Sequence, residues 1–137
     1  MALACDDQGN AGINMEACAV NWNSFDTSPV QFYLNYSTVT ANAQSSQTSG
    51  MALMVNGPAN VQCFEAKVIA TGGSNPIGAA SNGGATLALT YCYAEGAFFS
   101  LDIPDYSSTL IATDCQTNGP VQNGVKIVNY TPPGEKS

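Results

Sequence analysis

The sequence predicts an all-β domain: an antiparallel β-sandwich, Ig-like or jelly-roll-like, of about seven to eight strands. Three observations predict it. Short runs in which apolar and polar residues alternate recur along the chain, and period two is the mark of a half-buried strand. Gly, Pro and Asn turns punctuate those runs. No stretch holds a sustained helical period.

Taken in order, residues 1–15 read as a lead-in, 16–131 as the single domain and 132–137 as a tail. Ala2-Leu3-Ala4 has the form that signal peptidases cut after, so the start reads as a processed end with Met1 replacing a signal, or as a cloning remnant. Acylation of Cys5 at a lipoprotein junction is the alternative. Glu16–Trp22 alternates as a strand and carries Trp22 to the core beside Cys18 and Val20. Val30–Thr40 alternates most cleanly: Val30, Phe32, Leu34 and Tyr36 point inward, while Gln31, Tyr33, Asn35 and Ser37 face water. Ala41–Gly50 reads as a polar loop, and Met51–Val55 as a short strand stopped by Asn56-Gly57-Pro58. Val61–Ala70 is the next strand, with Phe64, Ala66, Val68 and Ala70 inward and Glu65 and Lys67 outward. Thr71–Ala85 holds five glycines and reads as a loop of 15 residues.

The centre of the prediction is Thr86–Ile103, read as a hairpin about a two-residue turn at Glu95-Gly96. That turn sets Ala94 opposite Ala97. One face then carries Ala88, Thr90, Cys92 and Ala94 against Ile103, Leu101, Phe99 and Ala97. The other carries Leu87, Leu89, Tyr91 and Tyr93 against Asp102, Ser100 and Phe98. Both faces are partly apolar, which places the hairpin centrally in its sheet. Thr109–Asp114 and Val125–Thr131 complete the strands, with Cys115–Gly124 as a loop between them.

Charged residues make up only 9% of the chain, against 45% hydrophobic. The surface is therefore one of hydroxyls, amides and backbone, which repels copies of itself weakly. Three lysines, no arginine and a net charge of −7 exclude nucleic acid as a partner, since phosphates need clustered cations. No apolar run of about 20 residues is present to span a membrane as a helix. The cysteines at 5, 18, 63, 92 and 115 form no CxxC, a spacing that fits disulfides in an oxidising compartment. Pairing the strands that flank Thr71–Ala85 brings Cys63 to Cys92 as the first candidate bridge. Cys5–Cys18 is the second, and Cys115 is left unpaired or intermolecular.

No histidine is available for general acid–base work, and no nucleophile motif surrounds any Ser or Cys. Asp102 and Asp105, with Asp114 following, form a pair of the kind glycosidases use, but they read as turn acids. Asp6, Asp7, Asn10, Asn14 and Glu16 gather oxygen donors without the order of a calcium loop. Neither a metal nor another cofactor is expected. Asn35-Tyr36-Ser37 and Asn129-Tyr130-Thr131 match the glycan acceptor tripeptide, Asn35 on the wet face of its strand. Tyr33, Tyr91 and Tyr93 are the aromatic candidates for contact with a ligand or partner.

Function is therefore expected to be non-catalytic: a secreted or cell-surface structural or adhesive subunit that associates with itself in a fibre, pilus-like assembly or coat. The edge strands Val30–Thr40 and Val125–Thr131 are its pairing sites. An extracellular, lectin-like carbohydrate-binding module is the alternative, with Ala41–Gly50 and Thr71–Ala85 as the binding rim. A small secreted hydrolase or inhibitor is the third reading.

Overall fold

A computed structural model describes residues 1–10, 14–21, 31–105 and 107–129. The chain is all β, but it winds as a three-sided parallel β-solenoid, and the antiparallel sandwich is overturned. Fourteen strands are described: β1 (Ala2–Asp6), β2 (Asn14–Asn21), β3 (Gln31–Asn35), β4 (Thr38–Ala43), β5 (Ser49–Asn56), β6 (Asn60–Phe64), β7 (Lys67–Gly72), β8 (Ile77–Asn82), β9 (Thr86–Thr90), β10 (Tyr93–Glu95), β11 (Phe99–Asp102), β12 (Thr109–Thr113), β13 (Gln116–Asn118) and β14 (Lys126–Val128). Sheet A is ordered β1-β4-β7-β10-β13, sheet B β11-β8-β5-β2 and sheet C β14-β12-β9-β6-β3. Each circuit visits A, B and C in turn, and all strand pairs are parallel.

A strand in a solenoid and a strand in a sandwich share the same alternation, because both bury one face. What separates them is the way the chain leaves the strand. Between sheets C and A the chain turns through two residues on every circuit: Tyr36-Ser37, Glu65-Ala66, Tyr91-Cys92 and Asp114-Cys115. The first of each pair has a left-handed backbone, with φ of 53°, 50°, 53° and 53°. Its N–H bonds to the next rung: Tyr36 to Phe64 O, Glu65 to Thr90 O, Tyr91 to Thr113 O and Asp114 to Val128 O, at 2.8–3.0 Å. The second is small and buried: Ser37, Ala66, Cys92 and Cys115. The bend reverses the alternation at each corner, so the chain goes from one sheet to another without pairing with itself.

These corners split two stretches that the sequence predicts as single strands. Val30–Thr40 becomes β3 and β4, which leaves Tyr36 exposed and buries Ser37. Val61–Ala70 becomes β6 and β7, and Phe64 turns outward while Ala66, Val68 and Ala70 stay inside. The predicted hairpin is likewise three sides of one circuit. Thr86–Thr90 lies in sheet C, Tyr93–Glu95 in sheet A and Phe99–Asp102 in sheet B. Their partners are the rungs before and after: Ala88 aligns with Gln62 and Ile111, not with Ile103. Leu87, Leu89, Cys92 and Ala94 point inward, and Tyr91 is exposed.

Two predicted loops contain strands. β8 runs through Thr71–Ala85 as an inner strand of sheet B, with Ala79, Ala80 and Ser81 fully buried. β13 lies within Cys115–Gly124. Ala2–Asp6, predicted as lead-in, is the outer strand of sheet A. Trp22, the turn at 23–29 and the tail at 132–137 lie outside the described residues.

The core is built of columns of like residues from successive rungs. Val61, Leu87 and Leu110 stack in sheet C, as do Leu34, Cys63, Leu89 and Ala112. Val39, Val68 and Ala94 stack in sheet A, and Cys18, Leu53, Ala79 and Leu101 in sheet B. At the corner between A and B, Gly96 lies against Gly78 N and the carbonyls of Pro76 and Phe99, leaving no space for a Cβ. From Ala2 through Thr38, Lys67 and Tyr93 to Gln116 the rungs shorten from 36 to 29, 26 and 23 residues. The C–A corner keeps its two residues throughout; from β4 onward the shortening falls on the strands of sheets A and B and on the A–B corner.

Replacing Leu87, which is fully buried, by Ala is expected to remove about 2–5 kcal/mol of stability. Ile111→Ala, on the outer face of the same sheet, is expected to cost less than about 1.5 kcal/mol. Equilibrium denaturant unfolding of the two variants measures the difference.

Candidate functional site

The C–A corner concentrates exposed aromatic surface. Tyr36 and Tyr91 are its left-handed residues on two rungs, and Phe64 ends β6 on the rung between. Their rings make a continuous edge-to-face strip: Tyr36 to Phe64 at 5.6 Å and 86°, Phe64 to Tyr91 at 5.7 Å and 83°. Each such pair contributes about 0.5–1.5 kcal/mol beyond the area it covers. Tyr36 is 67% exposed and Tyr91 55%. Tyr33, 61% exposed, stands on the outer face of β3 beside the strip. Asn, Asp and Gly are the residues a left-handed corner accepts most cheaply, while a bulky side chain there is strained. Glu65, Asp114 and Asn129 occupy the same position on other rungs, and Glu65 is exposed beside the strip. Tyr36 and Tyr91 are the bulky aromatic occupants of this corner, and both are exposed on one ridge.

Of the three predicted aromatic contacts, Tyr33 and Tyr91 are therefore on this surface. Tyr93 is not. It is half-buried on sheet A and donates its phenol to Glu95 Oε1 at 2.6 Å, which pushes its pKa up. Tyr36 and Phe64, which the alternation assigns to the core, complete the strip. The signal that finds them is the repeat itself. Gln31–Ser37, Asn60–Ala66, Thr86–Cys92 and Thr109–Cys115 are one seven-residue pattern with inward residues at the second and fourth places.

The predicted acid sets serve the backbone. Asp7 is buried at the corner between A and B. Its Oδ1 accepts the N–H of Gly9 at 2.8 Å and of Gln44 at 3.0 Å, and its Oδ2 that of Ser45 at 2.8 Å. Burial raises its pKa, but these donors outweigh burial and hold the carboxyl below the usual range. Asp6 accepts Gln8 N–H, Asn42 Nδ2 and Gln44 Nε2. The pair therefore pins residues 44–48 to the first rung. Glu16 points outward on β2, and the side chain of Asn14 lies outside the described residues. Among the described residues no three His, Cys, Asp or Glu side chains gather as a metal site.

Asp102, Asp105 and Asp114 fall on β11, on the B–C turn and on the C–A corner. Asp105 Oδ2 accepts Ser107 Oγ–H at 2.6 Å and Gly83 N–H at 2.7 Å, and its pKa falls to about 2, led by the Ser107 bond. Asp102 is raised by burial, which the Ile103 N–H offsets in part. Two shallow depressions, of about 220 and 280 Å³, lie at the A–B corner near Gly72, Pro76 and Ala97. They are smaller than the pockets that usually enclose a small molecule.

All five cysteines are free thiols. Cys63 aligns with Leu89 in its column, and Cys92 reaches the Cys63 carbonyl at 3.5 Å. Cys5 and Cys18 sit on different sheets. Cys115 is 3% exposed, whereas Cys5 is half-exposed on the outermost strand of sheet A. Asn35 is exposed, but the Ser37 hydroxyl of its tripeptide is buried against the Asn35 carbonyl at 2.9 Å.

The depressed carboxyls give a signed pH dependence. Asp7 and Asp105 stabilise the fold fully above the ordinary Asp pKa of about 3.9, and lose that contribution as pH falls through their lower folded values. Asp102 acts oppositely, its contribution fading as pH rises through its raised value. The melting temperature is expected to fall between about pH 4 and pH 2. The double variant D7N/D105N is expected to melt lower at pH 7 and to lose most of that slope. A slope unchanged from the wild type would contradict these roles.

Compared with protein-family models, curated proteins and solved structures, the chain matches none of them.

Proposed function

We propose that the chain is a non-catalytic structural module that associates end to end with copies of itself. One observation carries this reading: the half-buried apolar side chains packed against the core belong to the terminal rungs. Leu3, Ala17, Val20 and Phe32 come from β1, β2 and β3, and Val121, Val125 and Ile127 from the last rung. The described strands β1, β2 and β3 lie at one end of their sheets, and β13, β11 and β14 at the other. An outer strand leaves a row of N–H and C=O groups ready for another chain. The two ends differ, so contact between them is head to tail and propagates as an open filament. Low charge density leaves little to oppose such stacking. The predicted pairing strands Val30–Thr40 and Val125–Thr131 contribute β3 and β14, the two outer strands of sheet C.

A second reading rests on the aromatic strip. Tyr36, Phe64, Tyr91 and Tyr33 offer apolar ring area beside Asn35, Gln62 and Glu65, the mixture that suits an extended carbohydrate chain.

Sedimentation velocity and negative-stain microscopy separate these readings. The wild type is expected to form concentration-dependent rods. Ile127→Lys and Leu3→Lys, each at one end, are each expected to stay monomeric with an unchanged far-UV spectrum, and to form discrete dimers when mixed. A wild type that stays monomeric at several hundred micromolar contradicts self-association. Glycan binding lost in a Y36A/Y91A double variant then supports the second reading.

A further inference from the structure

We infer that Cys92 and Cys115 form a cross-rung disulfide site, open as two thiols in this structure and closed by oxidation. Both are the small second residue of the C–A corner on adjacent rungs. The parallel register Tyr93 to Gln116 puts them one above the other, and Gln116 N–H bonds to Cys92 O at 3.0 Å. Stacked residues in parallel rungs are separated by about 4.8 Å, inside the Cα range a disulfide accepts. The Cys115 side chain already reaches Cys92: Cys92 N–H donates to Cys115 Sγ at 3.4 Å. The Cys92 side chain beside it pushes the Cys115 thiol up.

The two sulfurs also take up corner backbone groups. Ala66 N–H donates to Cys92 Sγ at 3.5 Å, and the Cys92 thiol lies 3.3 Å from Thr90 O. Cys115 Sγ lies 3.4 Å from Leu89 O and 3.3 Å from Thr113 O. Ser37 makes the equivalent bond to Asn35 O with a hydroxyl, so an oxygen serves the corner equally well there. Two adjacent thiols are what allow the corner to be closed covalently. The other cysteines lack this arrangement: Cys63 stacks on Leu89, Cys18 on Leu53, and Cys5 on Ala41.

The step balances with hydrogen peroxide as oxidant. The Cys92 thiolate attacks one peroxide oxygen, the O–O bond breaks, hydroxide leaves and takes up the proton Cys92 lost to become water, and Cys92 becomes a sulfenic acid. Cys115 sulfur then attacks Cys92 sulfur, the S–O bond breaks, and the oxygen leaves as water. Two protein thiols lose two electrons and two protons in all, and the peroxide is reduced to two water molecules. The bond joins two rungs already in register, so closing it ties β9–β10 to β12–β13 at the corner that sets that register.

The test uses the intact chain, folded, with hydrogen peroxide, followed by alkylation and mass mapping after cleavage at Phe98 and Phe99, which separates the two cysteines. The expected product is a Cys92–Cys115 linked peptide pair two hydrogens lighter, with Cys5, Cys18 and Cys63 alkylated. The oxidised protein is expected to melt several degrees higher, reverting on reduction. Cys115→Ser, the residue type the first corner uses, is expected to yield a trappable Cys92 sulfenic acid and no link. A dominant link through Cys63, or sulfinic acid at Cys92 in the wild type without a link, overturns the inference. So does full alkylation of all five cysteines after prolonged peroxide treatment.

Discussion

The hydrogen bond from the first corner residue to the carbonyl of the next rung is the constraint on which this structure depends. Tyr36, Glu65, Tyr91 and Asp114 each make it from a left-handed backbone. That conformation is costly for Tyr and Glu, and it persists because the rung above fixes the acceptor. The corner N–H is bonded to the next rung and not across the bend, so the chain does not close a hairpin: β3 hands over to sheet A and pairs with β6. Parallel register follows, and with it the stacking of Leu87 on Leu110 and of Val39 on Val68 in the core.

The surface features descend from the same geometry. Stacking of the corners brings Phe64, 28 residues after Tyr36 and 27 before Tyr91, against both rings. They also align Cys92 with Cys115 and the small residues Ser37 and Ala66 beneath them. Polar ladders form elsewhere by the same rule. Asp6, Asn42 and Thr71 are joined by hydrogen bonds of 3.0 and 3.2 Å, and Asn56 and Asn82 by one of 3.2 Å. A solenoid also has two ends, and there the columns run out with core side chains only half covered.

Much of the strand content was legible, because alternation reports burial of one face whatever the partner. Thr109–Asp114, Met51–Val55 and the outward Gln31, Tyr33 and Asn35 read correctly for this reason. Strand partners were not legible from alternation, and a dipeptide such as Glu95-Gly96 signals a turn without saying how far the chain rotates. β8 was missed because Gly78-Ala79-Ala80-Ser81 lacks branched residues. Those small side chains suit a crowded inner strand better than they mark one. The aromatic strip was half legible: Tyr33 and Tyr91 stand out in sequence, while Tyr36 and Phe64 sit where the corner reverses the alternation. The seven-residue pattern ending Tyr36-Ser37, Glu65-Ala66, Tyr91-Cys92 and Asp114-Cys115 carried the missing information. It is hidden because its spacing shrinks on each circuit and its left-handed residue is never glycine.

Proton contacts by nuclear magnetic resonance between backbone groups of Thr86–Ile103 and the rest of the chain test the parallel winding most directly. The solenoid places Ala88 beside Gln62 and Ile111, and Tyr93 beside Lys67 and Gln116. Cross-strand contacts between those pairs are the predicted result. Contacts from Ala88 to Ile103 and from Cys92 to Phe99, the partners of an antiparallel hairpin, would contradict the solenoid and every surface built on it.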